Sequence, residues 1–190
     1  MAWQAIDRTT AATDAEDGPR LSEAVREKIR TFFVRYETKR AVLLPALHIV
    51  QDSLGYVPLA AMKEVAELLE IAPSDVLDVV TFYNHFWEHK RGRKTILLCQ
   101  SISCQLMGAD ALAARIKAKL GIGEHETTAD GEYSFATEEC LAGCDHAPCL
   151  LINEKLHKRV RAEDVERLLD DEHNDRLEIE RSDLFDGVKA

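Results

Sequence analysis

The chain has 190 residues, 46% of them hydrophobic, and a net charge of −10 from 24 Lys and Arg against 34 Asp and Glu. That content supports a packed core. The acidic balance, without any long block of Lys and Arg, argues against nucleic acid or an anionic membrane as the main partner. No apolar stretch approaches the roughly 18 residues of a membrane span. The opening MAWQAIDRTTAATDAEDGPR lacks the apolar core of a secretory signal and carries too many acids for a transit peptide. These features predict a soluble protein of the reducing cytoplasm, with a disordered N-terminal tail over residues 1–19.

The first half reads as helices. In LSEAVREKIRTFFVRY, Leu21, Val25, Ile29, Phe32, Phe33 and Tyr36 share one face, with charges opposite. Leu43, Leu47, Val50 and Leu54 form the next stripe, with Pro45 at an early helical position. LGYVP (54–58) ends it through Gly55 and Pro58, and a third helix turns Leu59, Met62, Val65 and Leu69 inward. APSD restarts the chain, with Ser74 the expected N-cap of a fourth helix, VLDVVTFYNHFWEH. Four short amphipathic helices with brief turns predict a small helical domain over residues 20–90.

At KRGRK (90–94) the pattern changes. TILLC reads as a buried strand and ADALAARIKAKL (109–120) as a helix with Leu112, Ile116 and Leu120 inward. The turn-rich GIGEHETTADGE leads to a strand, YSFATEEC, and CLLINEK with LHKRV (149–160) resembles a hairpin. AEDVERLL (162–169) is a closing helix whose first-turn acids suit the helix dipole. The order β-α-β-β-β-α resembles a thioredoxin-like domain over residues 91–171, leaving 172–190 as a charged C-terminal extension. The expected fold class is α+β, a small helical bundle followed by a thioredoxin-like domain.

All five cysteines fall between 99 and 149. Clustered thiols in a cytosolic chain point to metal or redox chemistry rather than a disulfide framework. Cys99-x4-Cys104 and Cys140-x3-Cys144 each follow a strand-like segment, which places both pairs in loops at one end of a sheet. Small residues (Ser101, Ser103, Ala142, Gly143) let backbone amides approach a ligand there. Four thiolates from two loops suit an iron–sulfur cluster or a structural zinc. Spacing alone leaves the cluster, zinc and unligated buried thiols all open. A thioredoxin-type exchange site is disfavoured, because no C-x-x-C is present.

Other features have plainer readings. His85 and His89, at i and i+4 on the fourth helix, read as a solvated face. Phe82, Tyr83, Phe86 and Trp87 read as core and domain-contact surface. Gly121 and Gly123 follow a helix and make only half a dinucleotide fingerprint. His146 reads as a loop residue, with a redox-linked proton site as its sharper alternative.

Two separate stretches resemble one family. HIVQDSLGYVPLAAMKEVAELLEIAPSDVLDVVTFYNHF (48–86) resembles its helical signature through Gln51, Gly55-Tyr56 and Thr81-Phe82-Tyr83. Cys99-x4-Cys104 followed by EECLAGCDHAP (138–148) matches its cluster motif. The family is the small [2Fe–2S] subunit of the NADH-dehydrogenase module of respiratory complex I, with relatives serving NAD-linked formate dehydrogenases and bidirectional hydrogenases. The resemblance covers about residues 20–170 and implies one [2Fe–2S] cluster held by Cys99, Cys104, Cys140 and Cys144, in a thioredoxin-like ferredoxin domain. It implies an electron-transfer subunit of NADH:quinone oxidoreductase with no catalytic residues or complete active site of its own. Its implied partners are a flavin- and NADH-binding subunit, which holds FMN and NADH, and further Fe–S subunits. It also implies a bacterial cytoplasmic location peripheral to the inner membrane, touching the membrane only through the complex. The rival readings are a zinc-stabilised scaffolding module, a stand-alone ferredoxin, or the equivalent formate dehydrogenase or hydrogenase subunit. Cys149 departs from the family's aliphatic residue and reads as a small buried hydrophobe, with a ligand swap as its alternative, since Cys144-x4-Cys149 repeats the first pair's spacing. Glu138, Glu139 and Asp145 beside the ligands predict a low-potential centre.

Overall fold

Ser22 opens the first helix with its hydroxyl accepting the Val25 N–H at 3.3 Å, a side-chain cap for one of the free amides of the first turn. The computed structural model describes residues 18–174, so most of the expected N-terminal tail and C-terminal extension lies outside the described residues. The chain divides into two compact units, one ending at Lys90 and the other beginning at Arg91.

The first unit holds α1 (Glu23–Arg30), α2 (Leu43–Leu54), α3 (Leu59–Leu69) and α4 (Pro73–Phe82), with a 3-10 turn at Lys39–Val42. Helix α1 stops at Arg30, short of the predicted Tyr36, because aromatic and β-branched residues follow (Thr31, Phe32, Phe33, Val34) and hold helix weakly. Phe32 still reaches the core at 1% exposure. Gly55 ends α2 at φ 82°, where a side chain would strain the backbone. Glu64 of α3 is buried and binds both the Leu21 N–H (3.0 Å) and the Arg26 guanidinium (2.8 Å), tying the start of the unit to α3.

Two expectations for α4 fail. Ala72, not Ser74, is the N-cap, because Pro73 takes the first helical position with its φ already set and no N–H to satisfy. The helix ends at Phe82 rather than at the expected His89, so His85 and His89 do not share a helix face. The cause is tertiary. Gln51 is buried, its Nε2 donating to the His85 carbonyl (2.7 Å) and its Oε1 accepting the Trp87 N–H (2.9 Å). Val57 N–H donates to the Trp87 carbonyl at 2.7 Å. These bonds satisfy backbone groups that further helix would have used. The aromatic group splits accordingly: Phe86 and Trp87 are buried, Phe82 and Tyr83 exposed.

The second unit is a mixed five-stranded sheet in the order β2-β3-β1-β4-β5. Its elements are β1 (Lys94–Cys99), α5 (Ile102–Leu106), α6 (Ala109–Leu120), β2 (Glu126–Thr127), β3 (Tyr133–Glu138), β4 (Leu150–Ile152), β5 (Lys155–His157) and α7 (Val165–Asp170). Strand β1 is buried along its whole length, the mark of a central strand covered on both faces. Ile96, Leu98, Phe135, Leu150 and Ile152 pack with Leu112 and Ile116 of α6 and Leu168 and Leu169 of α7. Buried Lys94 is satisfied at the α7 C-terminus, its Nζ donating to the Leu169 and Asp171 carbonyls. The short β2 lies inside the stretch read as turn; two residues are too few to show a period. This is an α+β fold with a thioredoxin-like domain.

The end of the described chain closes on the hairpin. Asn174 is 1% exposed, donates to the Leu168 carbonyl (2.9 Å) and meets His157 Nε2 at 3.2 Å. Burial lowers the His157 pKa, and the Asn174 contact offsets this only in part. With its folded value below its unfolded one, the unfolded chain takes up the proton first. His157 therefore adds stability above about pH 6.5 that is lost as pH falls through that value toward the folded pKa. Urea unfolding of the full chain across this range will show a shallower pH slope in His157→Gln; equal slopes would contradict it.

Candidate metal centre

The sheet's register gathers the cysteines. Parallel β1 and β3 align Cys99 with Glu138, so both strands end at the same edge. Cys99 is the last residue of β1, and Cys140 follows β3 by two. Cys104 lies within α5, directly beyond β1, and Cys144 opens a 3-10 turn, Cys144–His146. Antiparallel β4 begins there too, and the Cys99 N–H donates to the Cys149 carbonyl at 3.1 Å. Helix α6 covers the expected 109–120, and a short helix absent from the sequence reading, α5, precedes it; the two break at Gly108, whose φ of 100° opens α6.

All five thiols are free; Cys99, Cys104 and Cys149 are buried, Cys140 and Cys144 exposed. The four predicted ligands influence one another as two pairs, Cys99 raising the Cys104 pKa and Cys140 raising that of Cys144. Among the described residues no three His, Cys, Asp or Glu side chains close into one metal-holding group. The pairs nevertheless act on each other. Burial first, then the Cys99 contact, pushes the Cys104 pKa up to about 11. Cys144 is raised first by the charge of Cys140, and the charge of Cys99 adds to it. Thiols that oppose each other's ionisation in this way gain most from a cation between them. The donor set fits an iron–sulfur cluster.

The loop between the exposed pair is shaped for sulfur. Ala142 sits at φ 54°, and its N–H donates to Cys140 Sγ at 3.3 Å, a contact that favours a thiolate. A Cβ on buried Gly143 would lie 2.6 Å from Cys149 Sγ, so only glycine fits. Cys149 has different surroundings from the other four. Its sulfur faces two carbonyl oxygens, Gly143 O at 3.1 Å and His146 O at 3.2 Å, which suit a protonated thiol and repel a thiolate. Sequence reasoning singled out the four thiols and the backbone amides around Ala142 and Gly143, but not the two carbonyls that face the Cys149 sulfur. Gly143, between Cys140 and Cys144, was the available signal.

Charge around the site is acidic. Glu138 is half-buried, and exposed Glu139 accepts from Gln100 Nε2 at 2.9 Å. The His146 contact lowers the exposed Asp145, whose carboxylate lies 2.6 Å from Nδ1 but off the line of a hydrogen bond. Ile102, Leu106 and Met107, on α5 and just past it, are 72, 81 and 63% exposed. An open groove lined by Met107, Gly108, Pro148 and Arg159 runs beside Cys144.

Residues 29–173 match the family described as thioredoxin-like [2Fe-2S] ferredoxin. The chain belongs to that family. Its cofactor is one [2Fe–2S] cluster. The chain is 39% identical over 150 residues to an NADH-quinone oxidoreductase subunit of Pseudomonas aeruginosa, covering 79% of this chain and 90% of that one. It is 37% identical over 150 residues to the Escherichia coli (strain K12) protein of the same name, with the same coverage. An NADH-quinone oxidoreductase subunit of Rhizobium meliloti is 35% identical over 146 residues, covering 77% of this chain and 87% of that one. An air-oxidised NAD+-reducing [NiFe]-hydrogenase is similar in fold, with a TM-score of 0.59 and 24% identity. The match covers 67% of this chain and 22% of the hydrogenase chain.

Proposed function

We propose that this chain is the [2Fe–2S] electron-transfer subunit of an NADH:quinone oxidoreductase of complex I type. Cys99, Cys104, Cys140 and Cys144 hold the cluster, and single electrons pass between it and the flavin of a partner subunit that binds FMN and NADH. The observation that carries this reading is the meeting of the ends of β1 and β3, each with two cysteines at or just past it, in a chain similar over most of its length to NADH-quinone oxidoreductase subunits. When bound, the cluster supplies a one-electron store, whereas NADH gives two electrons at once. The division of that pair therefore belongs to the partner.

This chain's residues set the terms of the exchange. Buried Cys99 and Cys104 keep water from one side, while exposed Cys140 and Cys144 face outward. The Ala142 N–H favours added negative charge, and Glu138, Glu139 and Asp145 oppose it. The apolar rim of Ile102, Leu106 and Met107 leaves room for a partner to approach closely. Among the described residues no helix is long and apolar enough to cross a membrane. We place the chain on the cytoplasmic side, beside further Fe–S subunits and peripheral to the inner membrane. The relatives' names favour quinone reductase over formate dehydrogenase or hydrogenase.

Reduction by NADH tests the reading. The isolated full chain is reduced by dithionite but not by NADH, and adding the purified flavin-bearing partner makes NADH sufficient. Reduction by NADH without that partner would contradict it, as would no reduction with it.

A further inference from the structure

We propose that Cys149 is a positioning residue that fixes the two ligand-bearing segments to each other through one thiol hydrogen and one carbonyl, without ligating iron. The inference rests on the four-thiolate reading above. On its main-chain side, the Cys149 carbonyl accepts the Cys99 N–H at 3.1 Å, locking it to the end of β1. On its side-chain side, Sγ lies 3.1 Å from Gly143 O and 3.2 Å from His146 O, in the turn that Cys144 opens. Each carbonyl already accepts one backbone N–H, Gly143 O from His146 (2.9 Å) and His146 O from Arg159 (2.8 Å). The thiol hydrogen, shared between them, serves the lone pairs that remain.

Bulk alone does not describe this contact. Cys149 is 0% exposed, and the loop approaches so closely that a Cβ at Gly143 would sit 2.6 Å from the sulfur. An aliphatic residue at 149 fills the space but bares a lone pair on each carbonyl. The Cys140–Cys144 loop itself is exposed at both thiols and carries Ala142 in a left-handed conformation. Such a segment needs an anchor, and Cys149 provides one from the sheet side.

The test compares Cys149→Ser, Cys149→Val and Cys149→Ala with the wild-type full chain, each purified anaerobically and checked for fold by circular dichroism. The readouts are iron loss to a chelator and the reduced-state EPR line shape. Serine keeps the donor, so its iron loss stays within about twofold of wild type and its line shape is retained. Alanine and valine lose the donor, and their iron loss quickens roughly fivefold, the factor set by one net hydrogen bond, with an altered line shape. Valine matching wild type while serine loses iron fastest would overturn the proposal in favour of simple filling. Alanine without any cluster would overturn it in favour of ligation. If valine does not fold, serine against alanine decides. Iron-loaded wild type with three indistinguishable variants defeats this inference alone, whereas wild type without iron defeats the four-thiolate reading and this one with it.

Discussion

Cys104→Ala, purified anaerobically, loses its iron and its visible absorbance, and Cys144→Ala does the same. Removing an outer-shell partner of a metal ligand already costs about 10–100-fold in affinity, so removing a ligand costs at least that. Cys104 is the harsher case. It is 1% exposed and packs with Cys99, Ala109 and Cys149, so no water takes the place of its sulfur. The substitution also opens a small cavity against α6 and lowers the stability of the unit. Cys144 is exposed, and its loss leaves the protein folded but without the cluster. Iron analysis and absorbance check both variants. A Cys144→Ala protein with full iron and a wild-type spectrum would move the fourth ligand elsewhere, with Cys149 the first alternative.

The second large effect is on potential. Glu138→Gln combined with Glu139→Gln raises the midpoint by several tens of millivolts. A unit charge about 8 Å from another interacts by roughly 2 kcal/mol at an effective dielectric near 20. For a one-electron couple this is about 90 mV, at 59 mV per tenfold. Glu138 ends β3 opposite Cys99 and Glu139 follows it, but Glu139 is exposed and engaged by Gln100, so solvent screens much of its share. Glu138, half-buried, accounts for most of the shift. Redox titration followed by EPR measures it. An unchanged or lowered midpoint would show that these acids do not face the reduced charge.

Periodic apolar patterns made most of the fold legible. The stripe through Leu112 and Ile116 gave α6 to the residue, and the run Ile96–Leu98 gave the central strand. What failed was set by contacts distant in sequence. Nothing between Tyr83 and His89 announces that Gln51, more than thirty residues away, takes up the backbone groups of His85 and Trp87 and ends α4 early. The Ser74 cap failed for a local reason, since Pro73 fixes the helix start one residue before it. At the site, the sequence placed each cysteine pair at or just past a strand, and parallel pairing of β1 with β3 brings those strand ends together. The role of Cys149 was not legible, because a buried thiol and an aliphatic side chain give the same hydropathy. Only the carbonyls of Gly143 and His146 around its sulfur separate them.

The most direct measurement is metal analysis with EPR spin quantitation on the full chain purified without oxygen. The expected result is a red-brown protein with about two irons per chain, no stoichiometric zinc and about one unpaired spin after dithionite reduction. A colourless protein with about one zinc per chain and no signal on reduction would contradict an electron-transfer role and make the chain a zinc-stabilised scaffold.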